Sequence, residues 1–207
     1  VIKPNSEIIK TALMSYYRFK RQWICATEVH CSINGEIADV MVDTGTEIRE
    51  VEIKCSKSDL WQGEAKKSKH NWYLSGHKNI PNAFYICVPT ELLEEAQKWV
   101  IEKNPKYGII EFITNRLNSQ WLIWEQLVLQ NKKAKSISSN YSPLLKEKIV
   151  YRMCSELITT NQNIQKALIF KLKQEERDSE SLNQLAKMKL DKLNELVKDC
   201  IGENNAR

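Results

Sequence analysis

The sequence contains no apolar run approaching the ~18 residues that a membrane-spanning helix requires, so no membrane association is expected. Its first residues, Val1-Ile2-Lys3-Pro4-Asn5-Ser6, lack the charged-then-apolar layout of a secretory leader. The six cysteines, Cys25, Cys31, Cys55, Cys87, Cys154 and Cys200, include no Cys-x-x-Cys pair, and no nearby histidine completes a zinc pattern. Most of them lie inside apolar segments, as free buried thiols do in a reducing compartment, and a cytoplasmic location is expected on that ground. Repeats at solenoid periods and long low-complexity tracts are also missing, which sets aside stacked-repeat and tail-like architectures.

What is present fits an ordinary globular chain. The 207 residues are 42% hydrophobic and 28% charged, enough for one well-buried α/β domain with a helical extension and too few for two large domains. The formal net charge of +5 permits a polyanionic partner without specifying one.

Periodicity places the elements. Ile8, Ile9, Ala12, Leu13, Tyr16 and Tyr17 recur on one helical face, predicting a helix from Asn5 to Arg21, capped by Asn5 or Ser6 and ending in Arg18, Lys20 and Arg21. The period then changes to two. Thr27 to Ile33 alternates, Asn34-Gly35 is a hairpin dipeptide, Ile37 to Asp43 is the return strand, and Ile48 to Cys55 is a third strand after Thr44-Gly45-Thr46. A helix is expected over Ser58 to Leu74, a doubly covered strand over Ala83 to Val88, a helix over Glu91 to Lys103, and a strand over Gly108 to Ile113 that part of Trp121 to Gln130 joins. Residues 1 to about 136 read as one domain, and 137–207 as a helical C-terminal region opened by Pro143. Leu182, Ala186, Leu190, Leu193, Val197 and Cys200 form a seam along it, a surface for its own chain, a homodimer or a protein partner.

The chemistry concentrates between Glu28 and Lys54. On the third strand, alternation sends Val51, Ile53 and Cys55 to the core and Glu50, Glu52 and Lys54 to the other face. Asp39 sits amid Ala38 and Val40 on the preceding strand, so the hairpin brings it toward Glu52, with Glu28 one strand further. Adjacent carboxylates repel and are costly to desolvate, and a hard divalent cation relieves that conflict. Such an ion activates water and stabilises charge on a phosphoryl group, and an ammonium such as that of Lys54 assists. On its own, Glu-x-Lys is also a common exposed surface pair of little energetic worth.

The order of residues resembles the PD-(D/E)XK nuclease superfamily, and within it the MmcB-like DNA repair group. The resemblance runs through Ile37-Ala38-Asp39-Val40, Val51-Glu52-Ile53-Lys54-Cys55-Ser56-Lys57-Ser58-Asp59, Lys69-His70 with Tyr73, Asn82 to Pro89, Tyr107 to Glu111 and Lys133-Ala134-Lys135. Ala38 stands where the superfamily name has proline. The resemblance implies a restriction-endonuclease-like α/β fold, a central mixed β-sheet flanked by helices. It implies Asp39 and Glu52 as ligands of Mg²⁺ (with Mn²⁺ as a substitute), the Ile53 carbonyl as a third ligand, Glu28 as a further ligand or metal-water contact, and Lys54 as the catalytic lysine. The partner it implies is DNA, and the reaction metal-dependent phosphodiester hydrolysis. The alternative is a non-catalytic DNA-binding or repair-accessory module of the same fold.

Lys57, Lys66, Lys69, His70 and Tyr73 are candidate nucleic-acid contacts on and beside the second helix, with the lysines expected outside and Trp72 or Tyr73 inside. Asp43 and Glu50 flank a turn and are expected at the surface.

Overall fold

The computed structural model describes residues 4–30, 35–76, 79–117 and 122–204, and of residue 65 and residues 193–204 the backbone alone. The chain divides into two compact units, Val1–Glu156 and Leu157–Arg207.

The first unit is built on a six-stranded sheet whose spatial order, β1-β2-β3-β4-β5-β6, is the chain order. Strands β1 (Ile24–His30), β2 (Ile37–Asp43) and β3 (Ile48–Ile53) form the expected antiparallel meander. Strands β4 (Ala83–Pro89) and β5 (Gly108–Phe112) run parallel to β3, and β6 (Val128–Lys132) returns antiparallel along β5. A mixed sheet flanked by helices, followed by a long C-terminal helix, is therefore the architecture.

Each face of the sheet is covered. Helix α1 (Ser6–Ser15), capped by Asn5, whose side chain accepts from Ile8 N–H at 2.9 Å, buries Ile9, Ala12 and Leu13 against Val40, Val42, Val51, Ile53, Tyr85 and Cys87. The opposite face carries Phe84, Ile86 and Val88, packed with Tyr73 of helix α2 (Lys69–Ser75) and with Ala96, Trp99 and Val100 of helix α3 (Leu93–Lys103). At the β1–β2 end, Leu145 and Ile149 from the start of helix α4 (Pro143–Asn204) close over Ala26, Met41 and Ile48.

Three local departures from the sequence pattern have physical causes. The first helix leaves α geometry at Tyr16, and residues Tyr16–Lys20 form a wider π turn. Glu28 takes a left-handed φ of 51°, which breaks the two-residue alternation so that Ala26 and Val29 both reach the same cluster. The helix expected over Ser58 to Leu74 is three pieces: a π turn at Asp59–Gly63, a 3₁₀ turn at Glu64–Lys66, and α2. Between the last two, Lys67 is extended at φ −68°, ψ 129°. In a continuous helix, side chains two residues apart point to different sides; the extended residue lets Lys67 and Lys69 reach the same carboxylate.

In the second unit, residues 157–192 are helical, with Leu157, Ile164, Leu168, Leu172, Leu182 and Leu190 exposed. The side chains of Leu193, Val197 and Cys200 in the seam lie outside the described residues.

Candidate functional site

The meander delivers Glu50, Glu52 and Lys54 to one face, as alternation requires. That face is not solvent, because α2 and the turns before it lie over it. Glu50 is fully buried and Glu52 is 1% exposed. Glu50 was expected at the surface, and so was Asp43; both are buried. Asp43 receives the Tyr141 hydroxyl at 3.0 Å and lies 3.8 Å from the Lys146 ammonium.

Asp39 lies where the β2–β3 ladder ends. The last paired residues are Val40 and Val51. Beyond them the Asp39 carboxylate takes over a backbone bond, its Oδ2 accepting from Ile53 N–H at 2.7 Å. Asp39 and Glu52 are therefore brought to one end of β3, and Lys54 Nζ lies 3.7 Å from Glu52 Oε2. On the far side of β3, Lys54 N–H donates to Cys87 O at 2.9 Å, which holds the strand against β4.

Most of the site's remaining charge comes from the helical connection. The Lys69 ammonium, 1% exposed, bonds Glu50 Oε1 at 2.6 Å and also bonds Glu52 Oε1. Lys67 Nζ holds Glu52 Oε2 at 2.5 Å. Glu64, fully buried, has its Oε2 3.0 Å from Lys54 Nζ and 2.9 Å from Lys67 Nζ, without a well-aligned hydrogen bond to either. Its Oε1 meets His70 Nε2 at 3.0 Å, and His70 Nδ1 meets the Tyr107 hydroxyl at 2.8 Å. The Tyr73 hydroxyl donates to Glu50.

Four carboxylates (Asp39, Glu50, Glu52, Glu64) thus share a site with three ammonium groups (Lys54, Lys67, Lys69), and a fifth carboxylate, that of the more exposed Asp59, lies 3.4 Å from Lys54 Nζ. Burial is the largest influence on Glu52. The carboxylates of Glu64, Asp39 and Glu50 add to it against Lys69, and together they push the Glu52 carboxyl up from 4.5 to about 8. Lys67 and Lys69 favour the ionised carboxylate and burial the neutral acid; the near-complete burial sets the direction. Burial also raises Asp39, against the Ile53 N–H bond and the charge of Lys54. For Glu64, burial is outweighed by the His70 bond and by Lys69, Lys67 and Lys54, which hold it well below the carboxylate range. Burial works to lower Lys69, but Glu50, Glu52 and Glu64 raise it well above its ordinary value.

The other sequence candidates fall elsewhere or in other roles. Glu28 pairs with Lys10 rather than with this cluster. Lys57 is exposed and pairs with Glu95 at 3.1 Å, not with Asp59. Lys66 is exposed. Lys69, expected outside, is the most buried lysine of the group, and His70 and Tyr73 sit inside among Phe84, Trp99 and Tyr107. None of these three side chains is placed to touch a nucleic acid. Sequence reasoning did not single out Glu64, and it placed Lys67 among the outward, phosphate-contacting lysines of the second helix rather than on Glu52. Glu64 carried no signal, lying in a stretch of mixed charge that reads as a solvated helix face; Lys67 is placed by one extended residue that no periodicity announces.

The expected cation was to relieve repulsion between carboxylates, and here the chain's own lysines do so. Both oxygens of Glu52 are engaged by ammonium groups and Asp39 Oδ2 by a backbone N–H. Among the described residues no group of three or more His, Cys, Asp or Glu side chains is disposed to hold a metal ion. As arranged, Glu52 offers a cation no oxygen that is free of an ammonium group.

No family model and no curated protein matches the chain. Among solved structures, it is similar to a protein of unknown function from Silicibacter pomeroyi, at 13% identity and a TM-score of 0.53, over 80% of this chain and 94% of that one. That likeness concerns the fold alone.

Proposed function

We propose that this chain is a DNA-associated module with a nuclease-like sheet, one that binds DNA rather than cutting it and whose acidic site is closed. The observation that supports it is the closure of Glu52 by Lys67 and Lys69, one ammonium on each carboxylate oxygen. A carboxylate whose two oxygens are both held by ammonium groups of the same chain has less electrostatic need of a cation. The positive net charge of the chain is the source of attraction for a polyanion.

The test uses the full chain with fluorescently labelled single-stranded and duplex DNA, in Mg²⁺ and separately in Mn²⁺. Anisotropy reads binding and a denaturing gel reads cleavage. Binding with intact DNA is expected. Cleavage that disappears in both Asp39→Ala and Lys54→Ala would overturn the reading, and so would the absence of any binding.

The second reading, hydrolysis of DNA, is favoured by one observation: Asp39, Glu52 and Lys54 do converge at one end of β3. It requires Glu52 Oε2 to be released. Lys67 is the group able to leave, since its side chain is 28% exposed whereas that of Lys69 is 1%.

A further inference from the structure

If DNA is bound, the lysines of the acidic site do not account for it: Lys54, Lys67 and Lys69 are each committed to buried carboxylates. The end of the first helix offers a different surface. Residues 18–22, Arg18-Phe19-Lys20-Arg21-Gln22, are exposed without interruption. Three are cations, and among the described residues none of the three is in an ion pair with a carboxylate. The helix dipole accounts for cations at a helix C-terminus. It does not account for Phe19, which is 71% exposed between two of them.

The local fold explains why Phe19 points outward. Ile9, Ala12, Leu13, Tyr16 and Tyr17 fill the buried face, and Phe19 lies past that face on the π turn. The turn is held firmly. Arg21 donates to the Tyr16 hydroxyl from Nε at 3.0 Å and Nη2 at 2.7 Å, and Tyr17 stacks on Trp23 with ring centroids 6.0 Å apart. The guanidiniums of Arg21 and Arg49 lie 5.7 Å and 4.5 Å from the Trp23 ring. Phe19 thus stands exposed between cations on a turn whose backbone is anchored on both sides.

We propose that this segment is a contact surface for single-stranded nucleic acid, with Arg18, Lys20 and Arg21 on successive phosphates and a base stacked on Phe19. An aromatic ring gives a sequence-tolerant stacking platform, and flanking cations track the backbone. A duplex keeps its bases stacked inside and gains only the phosphate contacts. A membrane surface fits less well, because interfacial binding needs a broad apolar face, and here a single aromatic side chain stands between charges. The surface is separate from the acidic site. The segment leads into Ile24, which pairs with Asp43 at the end of β2 away from Asp39, and α1 covers the opposite face of the sheet. The proposal rests on the DNA-associated reading and names the strand form and the residues that reading leaves open.

The experiment measures anisotropy of a labelled short oligothymidylate against salt, for the full chain, Phe19→Ala, and Arg18→Ala combined with Lys20→Ala. All three substituted side chains are exposed, and thermal unfolding confirms that the variants fold. Phe19→Ala is expected to weaken binding roughly ten-fold with an unchanged salt slope. The double variant is expected to lower the slope of log K against log salt by about 1.4, at ~0.7 for each phosphate of a single strand that is no longer neutralised. If the wild type binds and both variants bind equally well, this inference fails while the DNA-associated reading stands. If the wild type binds no nucleic acid, both fail. Binding to anionic phosphatidylserine vesicles, abolished in Phe19→Ala and without oligonucleotide binding, would overturn the proposal in favour of a membrane surface.

Discussion

At the scale of single residues, Lys69 holds the site together. Its ammonium is 1% exposed and bridges Glu50 and Glu52. Lys69→Met leaves the buried Glu50 carboxylate without its cation, and breaking such a pair costs about 3–5 kcal/mol. Urea unfolding at neutral pH is expected to register that loss, and a variant as stable as wild type would mean the ammonium is dispensable. Glu52 makes a second prediction. Its carboxyl is raised from 4.5 to about 8 on folding, so across that window the folded chain keeps a proton that the unfolded chain has released. Its contribution to stability is complete below the ordinary value and is lost as pH rises through about 8. Glu64, held low, works in the opposite sense, and its contribution disappears as pH falls below the ordinary value. Stability of Glu52→Gln, measured by urea unfolding at stepped pH, should therefore fall less than that of wild type between mildly acidic and mildly alkaline conditions. An identical decline in both would remove Glu52 as its source. Asp39, Glu52 and Lys54 were legible because polar residues stood at fixed alternation among apolar ones. Glu50 was misplaced because alternation tells which face a residue takes, not whether a helix covers that face.

At the scale of elements, the strands were the most legible part. Their apolar runs act locally, and β2, β4 and β5 fall where the pattern put them, while Asn34 of the expected hairpin turn lies outside the described residues. The broken second helix was not legible, since its interruption serves side chains from a distant strand. The start of β5 carries a constraint that periodicity does not express. A Cβ on Gly108 would stand 2.3 Å from the Tyr85 ring and 2.8 Å from the Ala134 backbone nitrogen. The Tyr85 ring and the backbone at Ala134 lie against the strand there because position 108 has no side chain. Gly108→Ala is expected to cost at least about 1–3 kcal/mol by overpacking, read as a lowered urea midpoint with an unchanged slope. At the other end of the chain, Asn5→Ala removes the α1 cap and is expected to cost about 1 kcal/mol. A neutral result at Asn5 would show that the π turn and the core contacts alone hold the helix.

At the scale of the whole molecule, the sheet is closed by contributions from both ends of the first unit. Leu145 and Ile149 of α4 cover Ala26, Met41 and Ile48, and Arg152 Nε donates to Thr27 O at 3.0 Å. A chain ending at Glu156 is expected to unfold like the full protein. One ending at Ser142 uncovers that cluster, and burial of two large aliphatic side chains at ~1.5–3 kcal/mol each is lost; differential scanning calorimetry of the two truncations compares them. The sequence indicated the helix but not that its first turns belong to the sheet's core, because Leu145 and Ile149 carry the same pattern as the apolar residues exposed beyond Leu157. Both oxygens of Glu52, at the centre of the site, are held by lysines of the same chain. The most direct measurement is a titration of the full protein with Mn²⁺, followed by the electron paramagnetic resonance signal of the free ion. The account predicts no binding that distinguishes the wild type from Glu52→Gln. One ion bound per chain, and released in both Asp39→Asn and Glu52→Gln, would contradict it.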